Sequence, residues 1–378
     1  MEFTFTSKQE MLRKAAREFA EREVAPRVQE MDETGEVPMD LVKKMFDLGF
    51  GGLLIPQEYG GSGMGHVARM IVIEEISRIS PPLGFTLQIV HLGQAPVIYF
   101  GSEEQKRKWL PELAKGALIA SSAVTEPTGG SDVLGIQTTA RKEGDEWVIS
   151  GRKCFITNAH FSNIHGVLAK TGDREFSYFM VEADRPGVKL GRKEDKFGLR
   201  GCVTGEIAFD EVRVPEENLV GSPGKGLRVA LASISNVGRP GVAAVALGIL
   251  RRCLEEAAKY AKERKLYGKP ISDLQAIQWK LTDIYMDYQT SWLLVYYAAW
   301  LRDQNIRVDA ENAMCKLWAT EAAVRAAKLL TEVFGAYGVL REYVPQRLLR
   351  DAQVLIPSAG TSDIMRVVMA RKALEFSP

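Results

Sequence analysis

The chain has only four cysteines, Cys154, Cys202, Cys253 and Cys315, and no two of them stand in a Cys-x-x-Cys spacing. That scatter argues against a disulfide framework and against a zinc cluster, and it suits a reducing compartment. Net charge is only +1, with charged residues at 26%, so there is no electrostatic footprint for nucleic acid or anionic lipid. No run approaches the roughly 18 apolar residues of a membrane span. The stretch from Met1 to Glu10 lacks the charged-then-apolar pattern of a secretory leader. These absences predict a cytoplasmic protein with no nucleic acid, membrane or metal among its partners. Neither GxGxxG nor GxxxxGK[ST] occurs, and the glycine-rich run Tyr59–Gly65 reads by itself as a flexible connection.

At 378 residues the chain exceeds one average core, so two or three domains are expected. Ser7-Lys-Gln-Glu10 has the form of a capping box, and Met11, Ala15, Phe19, Ala20 and Val24 continue it as an amphipathic helix toward Pro26. Helical patterns recur over 38–49, 67–79, 84–100 and 103–116. Near Leu118 the texture changes to short β-branched and aromatic runs separated by Gly, Asn, Asp and Pro: 119–125, 136–141, 146–150, 153–157, 166–170, 176–181, 188–190 and 206–209. These predict a small barrel or sandwich. Long helical patterns return over 226–264, 272–304, 308–336 and 361–375, enough for a four-helix bundle. The expected division is an N-terminal helical domain over 1–117, a middle β-barrel-like domain over 118–223 and a C-terminal helical bundle over 224–378. A flat cofactor fits the seam between the β-domain and the helices.

Near the C-terminus, Gln353 to Arg366 runs from an apolar segment through Pro357-Ser-Ala-Gly360 into Thr361-Ser362 and a helix-period pattern. Thr361 or Ser362 is a good N-cap, so the loop delivers backbone N–H groups to a helix start, a natural place to hold an oxygen or a phosphate.

Several motifs now form a set: Thr125-Glu-Pro-Thr-Gly-Gly-Ser131-Asp132, Gly151-Arg-Lys-Cys-Phe155-Ile-Thr157-Asn158, Arg264-Lys-Leu-Tyr267-Gly-Lys-Pro-Ile271 with Gln275, Phe334-Gly-Ala-Tyr-Gly338, Arg350-Asp351 and Gly360-Thr361-Ser362. In order and spacing they resemble the acyl-CoA dehydrogenase family over essentially the whole chain. The resemblance implies an α+β multidomain fold with FAD between β-domain and bundle, completed across a subunit interface, usually in a homotetramer. It also implies an acyl-CoA substrate and an electron carrier such as electron-transferring flavoprotein. By the same resemblance, Val124, Thr125 and Thr157 contact the isoalloxazine, and Phe155 is its aromatic wall where many relatives carry Trp. Arg264, Tyr267 and Gln275 match the segment that holds FAD phosphate and adenine in a neighbouring subunit. Glu332 to Gly335 falls where relatives place Gln-x-Phe-Gly, and Glu332 adds a negative charge there. Thr361 belongs to the cofactor-binding loop. Ser131 and Arg239 match positions facing CoA, with Asn236 in the apparent helix break Ser235–Gly238 that precedes Arg239.

Dehydrogenation next to a thioester needs a general base near the first carbon. Most relatives carry a glutamate directly before Gly-Thr-Ser, where this chain has Ala359. A second group moves it to the position before the conserved-type arginine, where this chain has Gly238. The base is therefore expected elsewhere, and His91 is the titratable side chain of the helix that closes the acyl pocket. The Ala359 backbone N–H remains suited to polarise the thioester carbonyl. Two small residues beside the flavin suit a branched or cyclic acyl group, as in the branch acting on thioesters such as cyclohexanecarboxyl-CoA. An enoyl-CoA reductase of the same fold, a non-catalytic acyl-CoA or flavin binder, and an altered alanine stay open.

Overall fold

The computed structural model describes residues 4–376; residues 1–3 and 377–378, at the outer ends of the first and third expected domains, lie outside the described residues. The N-terminal part is helical: α1 (Ser7–Phe19), α2 (Val28–Thr34), α3 (Met39–Asp47), α4 (Gly65–Ile79), α5 (Pro81–Phe100) and α6 (Glu103–Lys115). The cap of α1 is Thr6 rather than Ser7: its side chain accepts from the Gln9 N–H, and the Gln9 side chain answers the Thr6 N–H. The chain then runs through a π-turn, Ala20–Val24, before Pro26.

The Tyr59–Gly65 run is not a flexible connection. Ser62, Gly63 and Gly65 donate backbone bonds to Gly52, Ile55 and Leu53, and a Cβ on Gly61 would lie 2.1 Å from the Ile55 carbonyl oxygen. The start of α4 does hold an anion, but it is the chain's own: the Asp303 carboxylate accepts from the His66 and Val67 N–H groups at 2.6 and 3.0 Å.

The middle part is β1 (Ala120–Ala123), β2 (Thr139–Glu143), β3 (Glu146–Thr157), β4 (Ile164–Gly172), β5 (Glu175–Glu182), β6 (Val188–Lys193) and β7 (Thr204–Pro215). They form one seven-stranded sheet in the order β1-β4-β2-β3-β7-β6, with β5 on the other side of β4, a curled half-barrel. The runs expected as two strands at 146–150 and 153–157 are one strand, bent by register slips at Ile149/Gly151 and Lys153/Ile156. Inside the curl, Trp147, Ile149, Ile207, Phe209 and Phe179 form a core of their own.

The C-terminal part holds α7 (Gly226–Ser233), α8 (Arg239–Glu263), the hairpin β8 (Lys265–Leu266) and β9 (Lys269–Pro270), α9 (Gln275–Asp303), α10 (Asp309–Phe334), α11 (Val344–Leu355) and α12 (Ser362–Ala373). The segment expected as a helix break, 235–239, is instead a π-turn, Ile234–Gly238, joining α7 to α8 without interruption. Pro240 supplies the reason: its ring cannot donate and crowds the carbonyl four residues back, and a wider turn relieves both. The helix α11 has no counterpart in the sequence expectation.

Two helices, Pro81–Phe100 and Gly226–Glu263, are long and apolar enough to cross a membrane, which corrects the expectation from composition; 83% and 89% of their most apolar windows are buried inside the protein. Small residues let these helices close on each other. A Cβ on Gly84 of α5 or Gly248 of α8 would meet Ser77 of α4 at 1.9 or 2.5 Å, so three helices converge on one serine. Gly93 likewise sets α5 against β1, with a Cβ there only 2.4 Å from the Ala120 carbonyl oxygen. This close approach lays one face of α5 along the seam between sheet and bundle.

Candidate active site

A cavity of about 540 Å³ opens along that seam, within the usual range for cofactor and ligand sites. One wall is a buried face of α5: Phe85, Gln88, Ile89 and Leu92. The sheet supplies Val124, Thr125, Ser131, Phe155 and Thr157. The C-terminal helices supply Ile234, Arg239, Val242, Ala359, Gly360 and Thr361. The structure thus gathers eight expected residues around one space, Val124, Thr125, Ser131, Phe155, Thr157, Arg239, Ala359 and Thr361; the glycine at 238 does not line it but abuts Ala359.

Each wall is held from behind. Lys153, wholly buried, donates to the Val124 carbonyl at 3.1 Å and to Glu126 at 2.8 Å. Burial alone would raise the Glu126 carboxyl, but Lys153, Thr138 and Gln137 bond its oxygens and hold it below the usual range. The Thr125 carbonyl accepts from Cys154 N–H at 3.0 Å. Phe155 sits at the bulge of β3 with φ +56°, which turns its ring out of the sheet and leaves it 63% exposed along the cavity.

Opposite, the 356–360 loop hangs from Lys316 of α10. This buried ammonium donates to the carbonyls of Ile356 at 2.6 Å and Gly360 at 2.8 Å, and burial pushes it down to about 8. Between those two anchors Ala359 adopts φ +54° and Gly360 φ +107°. The Ala359 N–H makes no backbone hydrogen bond among the described residues. Thr361 caps α12 by accepting from Ile364 N–H, so of the two candidate caps it is the one used. The loop Lys196–Cys202 closes the cavity's edge, and a Cβ on Gly198 would lie 2.1 Å from the Arg350 carbonyl oxygen.

The expectation for His91 is corrected. Its ring is wholly buried and does not line the cavity. Nε2 bonds the Phe50 carbonyl at 2.8 Å and Nδ1 accepts from Arg69 Nε at 3.2 Å. Burial and the Arg69 charge push it down to about 3. With both nitrogens committed, it has no lone pair to offer a substrate. At 100° per residue, Phe85, Gln88, Ile89 and Leu92 share a face, and His91 points about 110° away from its centre; that arithmetic was available in the sequence.

No other base takes its place: among the described residues that line the cavity there is no Asp, Glu or His. The two usual addresses are both here and both empty of carboxylate. A Cβ on Gly238 would stand 3.6 Å from the Ala359 Cβ, so a side chain from either position reaches one common point. Asn236, on the same π-turn, does not line the cavity.

Arg264, Tyr267, Gln275, Glu332 and Gly335 are likewise not brought to the cavity. They lie toward the far end of the bundle, with Tyr267 94% exposed and Arg264 6.0 Å from the Tyr337 ring centroid. Glu332 does not add a free negative charge, since Lys280 and Lys328 pair with it. Sequence reasoning missed Lys316, Lys196 and Cys202, which carry no motif of their own.

An open sheet curled against helices, with backbone donors and an aromatic ring around an apolar cleft, defines a protein built to hold a flat cofactor beside a long ligand. The chain belongs to the acyl-CoA dehydrogenase family: its residues 6–117, 121–212 and 224–374 match the family's N-terminal, middle and C-terminal domains. It is 42% identical to the probable acyl-CoA dehydrogenase YngJ of Bacillus subtilis over 99% of this chain and 100% of that protein. It is 40% identical to the 3-(aryl)acrylate reductase of Clostridium sporogenes over 98% and 100%. The structure superposes on butyryl-CoA dehydrogenase from Megasphaera elsdenii with a TM-score of 0.97 at 34% identity, covering 99% and 100% of the two chains. The protein is thus a flavoprotein oxidoreductase of CH–CH donors that uses FAD and an acyl-CoA thioester.

Proposed function

We propose that this protein catalyses α,β-dehydrogenation of an acyl-CoA thioester whose acyl group is branched or cyclic. The observation that carries this is the pair Gly238 and Ala359: a Cβ on Gly238 would stand 3.6 Å from the Ala359 Cβ, and Ala359 lines a cavity with no carboxylate among its described lining residues. Two side chains of minimal size leave width beside the reacting carbons that a straight chain would not fill.

FAD, when bound, supplies the hydride acceptor. Thr125 and Thr157 offer hydroxyls to it, Val124 and Thr125 offer backbone groups, and Phe155 shields it from water. The unbonded Ala359 N–H, held in place by Lys316, donates to the thioester carbonyl and so favours charge on that oxygen as the α-proton leaves. Ser131 and Arg239 at the cavity wall hold the CoA portion. The α-proton passes to a base other than His91, on a group outside the described residues that line the cavity.

The reaction is tested by mixing the holoenzyme anaerobically with straight, branched, cyclic and aromatic acyl-CoAs and recording flavin absorbance. Bleaching by a branched or cyclic thioester is expected, and bleaching only by straight chains would refute the substrate class. Ala359→Glu should not raise turnover on the preferred substrate, because a left-handed glutamate refills the acyl space; a large gain would argue against a relocated base. A reductase of the same architecture is favoured by the full-length similarity to a 3-(aryl)acrylate reductase. It predicts that an enoyl-CoA reoxidises the dithionite-reduced enzyme while no acyl-CoA bleaches the oxidised one.

We further propose a homotetramer in the cytoplasm that passes electrons to a carrier of the electron-transferring flavoprotein type. Trp279, Met286, Leu293 and Trp300 recur at seven-residue steps on α9, with 65%, 58%, 47% and 39% exposure. That is the stripe a second copy of the same helix would cover. The exposed set Arg264, Tyr267, Gln275, Glu332 and Gly335 then serves the FAD of a neighbouring subunit.

A further inference from the structure

Arg69 is the most anomalous charge in the protein. It is wholly buried on α4, and among the described residues no carboxylate lies within ion-pair distance of it. Its guanidinium donates to His91 Nδ1 at 3.2 Å and to the Val237 carbonyl at 2.8 Å, and Nη1 has no partner. Space for it is built in: a Cβ on Gly241 would lie 2.3 Å from Nη2, so α8 carries a glycine where the guanidinium crosses it. An unpaired buried cation is costly, and burial lowers this one to about 9 rather than removing its charge.

Gln88 stands between that cation and the cavity, which it lines. Its amide is also wholly buried and poorly satisfied. The oxygen accepts from Arg69 Nη2 at a long 3.5 Å, and the Nε2 donates to the Gly238 carbonyl at 3.3 Å. With its oxygen drawn toward the guanidinium, Gln88 presents its N–H groups to the wall beside Gly238, and the second of them is unused. The two charged side chains that line the cavity, Lys196 and Arg239, are positive; behind its wall stand Lys316, Arg69 and the Glu126-paired Lys153, with one carboxylate, Asp351, accepting from the Leu199 N–H on the side away from Gln88.

We infer that Gln88 and Arg69 form a specificity site for a carboxylate carried by the acyl group itself. The acyl group is then a branched or cyclic unit bearing an anionic oxygen substituent within reach of Gln88. A neutral acceptor would need the amide alone; the uncompensated guanidinium directly behind it calls for charge. Gly238 and Ala359 supply the room, because a protein carboxylate at either position would repel the substrate's own and neutralise Arg69 without it. The inference rests on the proposed acyl-CoA substrate and deepens it.

The test is calorimetric titration of the holoenzyme with two CoA thioesters that differ at one group: a cyclohexane-dicarboxylic acid as its monothioester, and the same thioester with the free carboxylate converted to the carboxamide. The acid is expected to bind at least tenfold more tightly. In Arg69→Met and in Gln88→Leu that ratio should fall to near one, with the carboxamide's Kd changing less than threefold; Arg69→Lys, which keeps the charge, should retain most of the preference. Equal or tighter binding of the carboxamide overturns the proposal. So does a weakening of both thioesters by the same factor in Arg69→Met and Arg69→Lys, which would mark a packing arginine. Because the readout is binding, tight binding of the acid with no flavin bleaching by any thioester refutes the proposed reaction and leaves the recognition site standing.

Discussion

His91 shows how much a residue's chemistry depends on which way it faces. As an imidazole on the helix beside the acyl pocket it had the credentials of a base, yet its two nitrogens tie Phe50 to Arg69 inside the N-terminal core. His91→Ala should therefore leave flavin reduction by the preferred thioester undiminished while costing about 3 kcal/mol in urea melts, from a buried carbonyl and a guanidinium N–H left unpaired; a hundredfold loss of reduction rate would restore it as the base. Burial first, and neighbouring positive charge second, pushes His66 and His91 down to about 3 and His165 to about 4. Each is a base weakened by folding, so the unfolded chain binds more protons between those values and the ordinary histidine range. Stability is accordingly full above about pH 6.5 and drains away as pH falls toward 3. His91→Ala should flatten part of that slope, as urea midpoints measured from pH 7 to pH 4 would show.

At the scale of elements, the site depends on irregularities more than on regular helices and strands. The bulge in β3 aims Phe155, the π-turn between α7 and α8 brings Gly238 to Ala359, and the positive-φ pair Ala359 and Gly360 leads into α12. The last of these hangs on one side chain. Lys316→Met removes the donor to two buried carbonyls and should cost about 2 kcal/mol. It should also free the Ala359 N–H from its fixed direction. The absorption shift of a bound chromophoric enoyl-CoA measures that direction, and it should shrink in the variant; an unchanged shift would reduce Lys316 to a structural cap.

For the whole molecule, the exposed stripe on α9 and the exposed patch near Tyr267 belong together. If a second copy covers the stripe, Met286→Glu with Leu293→Glu buries charge in the joint and should yield smaller species by light scattering. It should also weaken FAD retention, because the patch would no longer reach a neighbour. Unchanged molar mass would remove α9 from the assembly.

The order of helices, strands and helices was legible in residues 1–378 because periodicity records which face of each element is buried. So was the family, since Thr125–Asp132, Gly151–Asn158 and Gly360–Ser362 keep their spacing. The emptiness of both carboxylate addresses was legible too, at Ala359 and Gly238. Sequence spacing says nothing, however, about contacts between elements far apart in the chain. Only the tertiary structure decided that those two positions adjoin, so that a Cβ on Gly238 would stand 3.6 Å from the Ala359 Cβ, that His91 turns away from the cavity, that Asp303 occupies the helix start after the glycine-rich run, and that Arg69 comes to rest behind Gln88 without a counter-charge among the described residues. Each is a matter of direction and distance between α4, α5, α8 and the 356–360 loop, settled by how closely glycines at 84, 93, 241 and 248 allow those elements to pack.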